Sequence, residues 1–387
     1  MKKIHQQPLY QSACRALCVL VAIVVAMTVQ VQAQRLQVVD SEGEPVAFVC
    51  ATTQAGVLIG TTDINGWLSD TKGNRTVYLS HTAFEPLAVD MSTVVNDRVV
   101  LKDVTYDLPD VEVKPKELAY VQTYYRLIYF DDEGPLYFRG GVIDNTYEFA
   151  TKKTSSKTRS LSKGENGLLR FLISTIAGRY IDKLGQVSEN SRHKQLLAME
   201  KEGKITITGD SATRQIVADS ISTLGYIDTD AAAGVRTTSF NIWAYYDHEK
   251  KAKEEAKEAR DLAKGKKIKK KDNKQAEDKE REETFYEVYR IDEDGRSRVD
   301  DFVMRQFQVG SKKRSGDGRF MIFMQAYATD RNYVDKKEYK QLRKENKVDM
   351  SIEELRRFEQ SHKIPPLPEN IQAQIDKLFE KELSKKK

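Results

Sequence analysis

The sequence predicts a mainly β protein with an α+β part. An N-terminal Greek-key-type β-sandwich is followed by an antiparallel sheet domain with packed helices and a charged helical or disordered insertion. Three observations lead to this prediction. Short β-prone runs separated by turn residues fill residues 35–102. Longer aromatic and β-branched segments return after residue 119, and a strongly charged segment, Glu249–Glu283, interrupts them.

The first 33 residues have the pattern of a secretory signal peptide. Lys2 and Lys3 precede an uncharged apolar run of 14 residues, Ala16–Val29, which is shorter than the ~20 residues that cross a bilayer. Val31-Gln32-Ala33 then supplies an A-x-A-like cleavage site. We therefore expect an exported protein in the periplasm, at the outer membrane or outside the cell, with no transmembrane segment in the mature chain. A retained N-terminal anchor is the alternative.

Charge and cysteine content narrow the class of the mature protein. The sequence carries a net charge of +5, and the first 33 residues supply three of these charges, which leaves +2. A nucleic-acid-binding domain needs a concentrated basic surface, so no nucleic-acid partner is expected. Cys14 and Cys18 leave with the signal peptide, so Cys50 has no partner for an internal disulfide and is expected in the core.

Residues 34–103 are expected to form the sandwich. Their turns have a chemical basis, because Asn65-Gly66 and Gly73-Asn74 tolerate the positive φ that tight hairpins need. The predicted strands are Arg35–Val39, Ala47–Thr53, Val57–Thr62, Arg75–Ser80, Pro86–Asp90 and Arg98–Leu101.

Three phrases occur in order along the predicted sandwich. They are VDSEGEPV at Val39–Val46, GTTDINGW at Gly60–Trp67 and VYLSHTAFE at Val77–Glu85. Residues 35–102 thereby resemble the carboxypeptidase-regulatory-like, transthyretin-like domain that often follows the signal peptide in exported Bacteroidetes proteins. In that family the domain is a non-catalytic module, so the resemblance implies no peptidase activity.

Residues 104–118 are predicted to be a linker, and residues 119–335 an antiparallel sheet with helices against it. Tyr120–Phe130 and Leu136–Ile143 form a predicted hairpin, and Thr151–Lys163 is expected to be a mobile loop. Asn166–Leu184 has apolar residues at 3.6-residue spacing, which predicts a helix packed on the sheet; a helix lying on a membrane surface is the alternative. Further strands are expected at Lys204–Thr208, Thr238–Tyr246, Thr284–Ile291, Val299–Gln308 and Arg319–Thr329.

The charged insertion, residues 249–283, contains 14 Lys or Arg and 11 Asp or Glu and almost no apolar side chain. It cannot bury a core face, so we expect a solvated helical arm or a disordered segment. Contact with an anionic phospholipid or lipopolysaccharide surface is the alternative. Residues 336–387 are predicted to form charged and amphipathic helices, one of which begins with a capping box at Ser351 and Glu354.

The sequence offers no recognisable catalytic, cofactor or metal site. His81, His193, His248 and His362 stand in no metal-ligand spacing. Asp63 opens a segment like a calcium loop, which lacks the bidentate glutamate at its twelfth position.

These observations favour a non-enzymatic binding or assembly module of the cell envelope. Its expected partner is another envelope protein, a glycan or a lipid surface. The first alternative is a periplasmic carrier that holds a lipid or other apolar ligand in the C-terminal sheet domain. The second alternative is a hydrolase whose site the sequence does not reveal.

Overall fold

A computed structural model describes residues 35–104, 117–164, 171, 173, 192–263, 279–298, 301–313, 320–345 and 350–383. Over these ranges the protein is mainly β, with several sheets and a few helices, which confirms the predicted fold class. The predicted signal peptide, most of the predicted linker and nearly all of the predicted helix Asn166–Leu184 lie outside the described residues.

The N-terminal unit consists of a three-stranded and a four-stranded sheet. Its strands are β1 (Leu36–Val39), β2 (Cys50–Thr52), β3 (Leu58–Thr61), β4 (Trp67–Leu68), β5 (Thr76–His81), β6 (Phe84–Asp90) and β7 (Arg98–Val100). The sheet orders are β4-β1-β7 and β3-β2-β5-β6, and side chains such as Leu36, Val38 and Leu79 form a core of their own. Gly66 has φ +74°, and a Cβ there would lie 2.5 Å from the Val38 carbonyl oxygen, so this turn requires glycine.

A ten-stranded antiparallel sheet forms the body of the second unit. Its strands are β8 (Leu118–Asp131), β9 (Gly134–Glu148), β10 (Lys153–Gly164), β11 (Thr206–Gly209), β12 (Arg214–Ala218), β13 (Thr223–Asp230), β14 (Val235–Asn241), β15 (Lys279–Arg290), β16 (Phe302–Lys313) and β17 (Phe320–Val334). Their order is β10-β9-β8-β17-β16-β15-β14-β13-β12-β11, so two sequential meanders meet where β17 pairs with β8.

Two predictions about this sheet are wrong. The predicted mobile loop Thr151–Lys163 is strand β10, which pairs with β9 from Lys153 to Gly164. The predicted strand Thr238–Tyr246 ends at Asn241, because the Oδ1 atom of Asn241 accepts a hydrogen bond from the backbone N–H of Ala244 and caps a helix there. Strands β12 and β13 had no predicted counterpart.

Five α-helices lie within the described ranges. They are α1 (Arg192–Lys201), α2 (Ile242–Ala263), α3 (Lys336–Glu345), α4 (Ile352–Ser361) and α5 (Glu369–Leu383). None of them combines the length and the apolar character needed to cross a bilayer. The predicted capping box is confirmed, because the Ser351 hydroxyl accepts from the backbone N–H of Glu354 while the Glu354 carboxylate accepts from the backbone N–H of Ser351.

The two faces of the ten-stranded sheet have different partners. Successive side chains of a strand point to opposite faces. On β15, the Tyr286 ring packs against His81 of the sandwich, with ring centroids 4.6 Å apart. The next side chain, Glu287, accepts a hydrogen bond from the backbone N–H of His193 in α1. The sandwich and α1 therefore cover opposite faces.

The C-terminal helices lie on the same face as the sandwich. The strand register places Gln306, Gln325 and Arg126 on the face of Tyr286, which we call the sandwich face. Arg126 lies 3.8 Å from the carboxylate of Glu359 in α4, which positions this helix beside the sandwich. Helix α5 follows on this face, where it contacts β9.

Candidate functional site

A groove of about 400 Å³ opens where the sandwich meets the ten-stranded sheet. Residues in and around β3 and β4 form one wall, and residues of β14, β15, β16 and β17 form the other. We call it the interdomain groove, and define it by seven of its lining residues: Arg35, Thr61, Trp67 and Asp70 from the sandwich, and Asn241, Glu282 and Gly310 from the sheet unit.

The floor of the interdomain groove is fixed at the carbonyl group of Phe48. The side-chain amides of Gln306 and Gln308 both donate to this oxygen, over 2.8 and 2.6 Å. Phe48 has φ +63°, a left-handed backbone conformation that costs an ordinary residue about 1–2 kcal/mol. The two glutamines therefore hold a strained carbonyl of the sandwich against the sheet.

Further hydrogen bonds cross from the sandwich to the sheet unit. The Oε1 atom of Gln306 accepts from the backbone N–H of Thr82 over 2.9 Å, and the hydroxyl of Tyr327 donates to the Thr82 carbonyl over 3.2 Å. Inside the groove, the Thr61 hydroxyl donates to the carboxylate of Glu282. The two walls of the groove are thus tied together by polar contacts.

Trp67 forms an aromatic part of the sandwich wall. The Oδ1 atom of Asp63 accepts hydrogen bonds from the backbone N–H groups of Asn65 and Trp67, both over 2.9 Å, and this side chain organises the turn before β4. The guanidinium group of Arg35 lies over the indole, 4.9 Å from the ring centroid. Trp67 remains partly exposed at the groove.

The groove carries charges of both signs. Three carboxylates line it, those of Asp63, Asp70 and Glu282, together with the cations of Arg35 and Lys72. Hydroxyl and amide groups lie between them, and apolar side chains such as those of Leu58 and Met321 complete the lining. The arrangement suits a ligand that has both hydrogen-bonding groups and an apolar surface.

Buried ionisable groups on the opposite face of the sheet hold α1. Glu287 is 1% exposed, and its carboxylate lies 3.3 Å from the Nε atom of Arg305, which is 2% exposed. Burial raises the pKa of Glu287, although Arg305 and the backbone N–H groups of α1 act in the other direction. Since Glu287 accepts from the N-terminal end of α1, the pair anchors this helix.

The four histidines of the described ranges, His81, His193, His248 and His362, lie in separate places and have different contacts. His81 is buried between the sandwich and the sheet, and burial lowers its pKa to about 3. Burial and the nearby cation of Arg236 lower the pKa of His193 to about 4. His362 stacks on Phe358, with ring centroids 4.0 Å apart. Nowhere in the described ranges do three His, Cys, Asp or Glu side chains come together as a metal-binding group.

The side chains of His248 and Asp219 are in direct contact, in the geometry of an ion pair. The Nδ1 atom of His248 lies 2.6 Å from Asp219 Oδ2, while Asp219 Oδ1 accepts from the backbone N–H groups of Ile221 and Ser222. These contacts tie the turn between β12 and β13 to helix α2. Both side chains therefore have a structural role, which is to hold this turn against the helix.

Cys50 and Asp63, the other candidate residues that the sequence offered, also have structural roles. Cys50 is buried as predicted, and burial raises the pKa of its thiol, with a further contribution from the negative charge of Glu282. Asp63 belongs to the turn that positions Trp67. Apart from Asp63, the residues that build the groove were missed, although Trp67 lies in one of the phrases that carry the resemblance and is one of only two tryptophans.

Two sequence comparisons bear on the family of this chain. No protein-family model matches it, and no curated protein matches its sequence. The resemblance of residues 35–102 to the carboxypeptidase-regulatory-like domain therefore stays a prediction.

Proposed function

We propose that this protein is an exported, non-enzymatic binding module of the cell envelope that holds its ligand in the interdomain groove. The observation that carries the proposal is the position of the groove at a junction that polar contacts fix from both sides. Binding sites occur preferentially at domain interfaces, and about 300–1,000 Å³ is their ordinary size. The signal-peptide pattern and the predicted regulatory-like domain support the envelope location.

The two alternative functions have less support. A lipid carrier needs an apolar sheet face, whereas the ten-stranded sheet buries Arg126 on one face and Arg305 with Glu287 on the other. Those charges need polar partners and would be destabilised against a lipid chain. A hydrolase needs convergent reactive groups. The histidines and Cys50 of the described ranges lie apart, and each of the three groove carboxylates already accepts a hydrogen bond from the protein: Asp63 from the turn before β4, Asp70 from the backbone N–H of Lys72 and Glu282 from the Thr61 hydroxyl.

A groove-filling variant tests the binding site. Gly310 pairs with Glu282 across β16 and β15, so a side chain at position 310 points to the groove face. The atoms nearest to a Cβ there would be the Phe320 carbonyl oxygen at 3.1 Å, which a shift of a few tenths of an ångström relieves, and Met321 atoms at 3.8 Å. Gly310→Leu is therefore expected to fill the groove and leave the fold intact.

The measurement is native mass spectrometry of the protein after incubation with a soluble extract of bacterial envelopes. The unmodified protein is expected to carry a bound molecule that Gly310→Leu lacks. Thr208→Leu, which adds the same side chain at an exposed position of β11, should retain it. An adduct of equal abundance on Gly310→Leu, or no adduct on any variant, contradicts binding in the groove.

A further inference from the structure

We infer that the ligand of the interdomain groove is a neutral sugar unit of a glycan, which packs the C–H face of its ring on Trp67. The inference rests on the proposed function and assigns it a class of ligand. It follows from the residue types of the groove, from their charge balance and from the hydrogen bond that orients the amide of Asn241.

The charge balance favours a neutral ligand. Three carboxylates and two cations line the groove, so neither a strongly anionic nor a strongly cationic ligand meets a complementary surface. One of the cations, Arg35, already lies over the Trp67 ring, and one oxygen of Asp63 is taken by backbone N–H groups. A phosphate would lie against the three carboxylates and a polyamine against the two cations, and like charges repel each other.

The polar groups exclude a purely apolar ligand. An acyl chain in the groove would take Asp70, Asn241 and Ser311 out of water without replacing their hydrogen bonds. A sugar ring replaces these bonds, because its rim carries hydroxyl groups that both donate and accept. Its C–H face needs an apolar wall, and we assign to it the face of the partly exposed Trp67 indole that is turned away from the Arg35 guanidinium.

Asn241 gives the groove a donor in a fixed place. Its Oδ1 atom caps α2 by accepting from the backbone N–H of Ala244 over 3.1 Å. This use of the oxygen orients the amide and leaves its Nδ2 hydrogens as donors for a hydroxyl group. The Oδ1 atom of Asp70 accepts from the backbone N–H of Lys72, and its second oxygen is the acceptor for another hydroxyl group of the same ring.

The test uses Trp67 as its own reporter. The chain has two tryptophans, so Trp243→Phe leaves Trp67 as the single one. This protein is titrated with three neutral probes, cellotetraose, maltotetraose and chitotetraose, and with lauric acid and inorganic phosphate as the apolar and anionic probes. We expect a saturable change in Trp67 fluorescence with at least one tetrasaccharide, and none with laurate or phosphate.

Two variants locate the binding. Asn241→Asp keeps an oxygen to cap α2 but removes the amide donor, and is expected to weaken tetrasaccharide binding about tenfold, the effect of one lost hydrogen bond in a binding site. Trp67→Ala is expected to abolish the binding heat in calorimetry. Thr208→Leu, far from the groove on β11, should bind as the parent does. Equal affinity of Asn241→Asp and its parent would contradict the assignment of the donor.

The outcomes separate the two proposals. If no tetrasaccharide binds but laurate or phosphate changes Trp67 fluorescence in a manner that Gly310→Leu abolishes, the sugar inference is wrong and the binding groove stands. If no probe binds and native mass spectrometry shows no adduct, both are wrong.

Discussion

His81 occupies a fully buried position between the rings of Phe84 and Tyr286, at the contact between the sandwich and the sheet. Its Nδ1 atom accepts from the backbone N–H of Ala83 over 3.2 Å, so the neutral imidazole carries its proton on Nε2. Burial lowers the pKa of this ring from 6.5 to about 3. Protonation of the imidazole would place a charge in a site that water cannot reach, and burial therefore opposes it strongly.

We expect His81 to make the protein sensitive to acid. Between pH 6.5 and about 3 the unfolded chain binds a proton at His81 that the folded chain does not bind, so the free energy of unfolding falls as the pH falls through this window. At pH 4.5 the loss is roughly 2–3 kcal/mol relative to pH 7. Urea unfolding at several pH values gives the free energy of unfolding of the protein and of His81→Asn. We expect this free energy to fall more steeply with falling pH in the unmodified protein than in His81→Asn.

His81→Asn is a suitable comparison because the Asn carbonyl can accept from the Ala83 N–H in the same way and does not titrate. His193 and the carboxylates are present in both proteins, so their contributions cancel. Parallel pH dependence of the two proteins would show that His81 does not destabilise the folded state in acid.

At the residue level, sequence reasoning found structural side chains and missed the groove. Cys50 and the Asn65-Gly66 turn were predicted because each depends on its immediate neighbours in the chain. Trp67, Asn241 and Glu282 lie in different elements, and only the packing of the sandwich on the sheet brings them to one groove. No spacing in a single sequence reports that packing.

Among the elements, strand β10 depends most clearly on its neighbour. The strand lies at the edge of the sheet and is rich in Ser and Lys, which are not among the residues that favour strands. Close approach to β9 compensates for this, because a Cβ at Gly141 would lie 2.1 Å from the Arg159 carbonyl oxygen. Glycine at position 141 therefore permits the pairing of β10.

Gly141→Ala should separate β10 from β9 locally. The added methyl group forces the two backbones apart, and we expect a loss of about 1–3 kcal/mol of stability together with faster amide exchange along β10. Hydrogen–deuterium exchange with peptide-level mass spectrometry measures the effect. Ser155→Ala, an exposed change on β10 itself, should leave the exchange unchanged. Unaltered protection of β10 in Gly141→Ala would contradict the close contact.

The element predictions failed where local preference and tertiary context disagree. Thr151–Lys163 has the composition of a loop, but a neighbour in the sheet supplies its backbone hydrogen bonds. Thr238–Tyr246 has the composition of a strand, yet Asn241 ends the strand and its aromatic residues Trp243 and Tyr245 continue in helix α2. Six of the seven strands of the sandwich were predicted to within a few residues because turn residues flank them, and the two-residue strand β4 had no predicted counterpart.

On the scale of the whole molecule, buried polar groups join the sandwich to the sheet in addition to apolar contacts, since Cys50 and Leu58 of the sandwich belong to the apolar core of the sheet unit. The glutamines at 306 and 308 are 1% and 0% exposed, so their amides are removed from water as completely as core side chains. Such buried groups stabilise the junction only while every partner is present. The walls of the interdomain groove keep their positions through these same contacts.

Replacement of both glutamines should therefore uncouple the two units. Gln306→Leu combined with Gln308→Leu leaves the Phe48 carbonyl and the Thr82 N–H without their side-chain partners, at a cost of about 2–5 kcal/mol. In the Trp243→Phe background, Trp67 fluorescence reports the sandwich and circular dichroism reports mainly the larger sheet. The two signals should follow one urea transition in the parent and separate into two in the double variant, with the sandwich unfolding first because its core is the smaller one.

Gln54→Leu, which replaces an exposed glutamine of the sandwich, is the control and should keep the two transitions coincident. Coincident transitions in the double variant would mean that apolar contacts alone join the units, and the groove would then owe its shape to the packing of side chains such as Phe48 and Leu58.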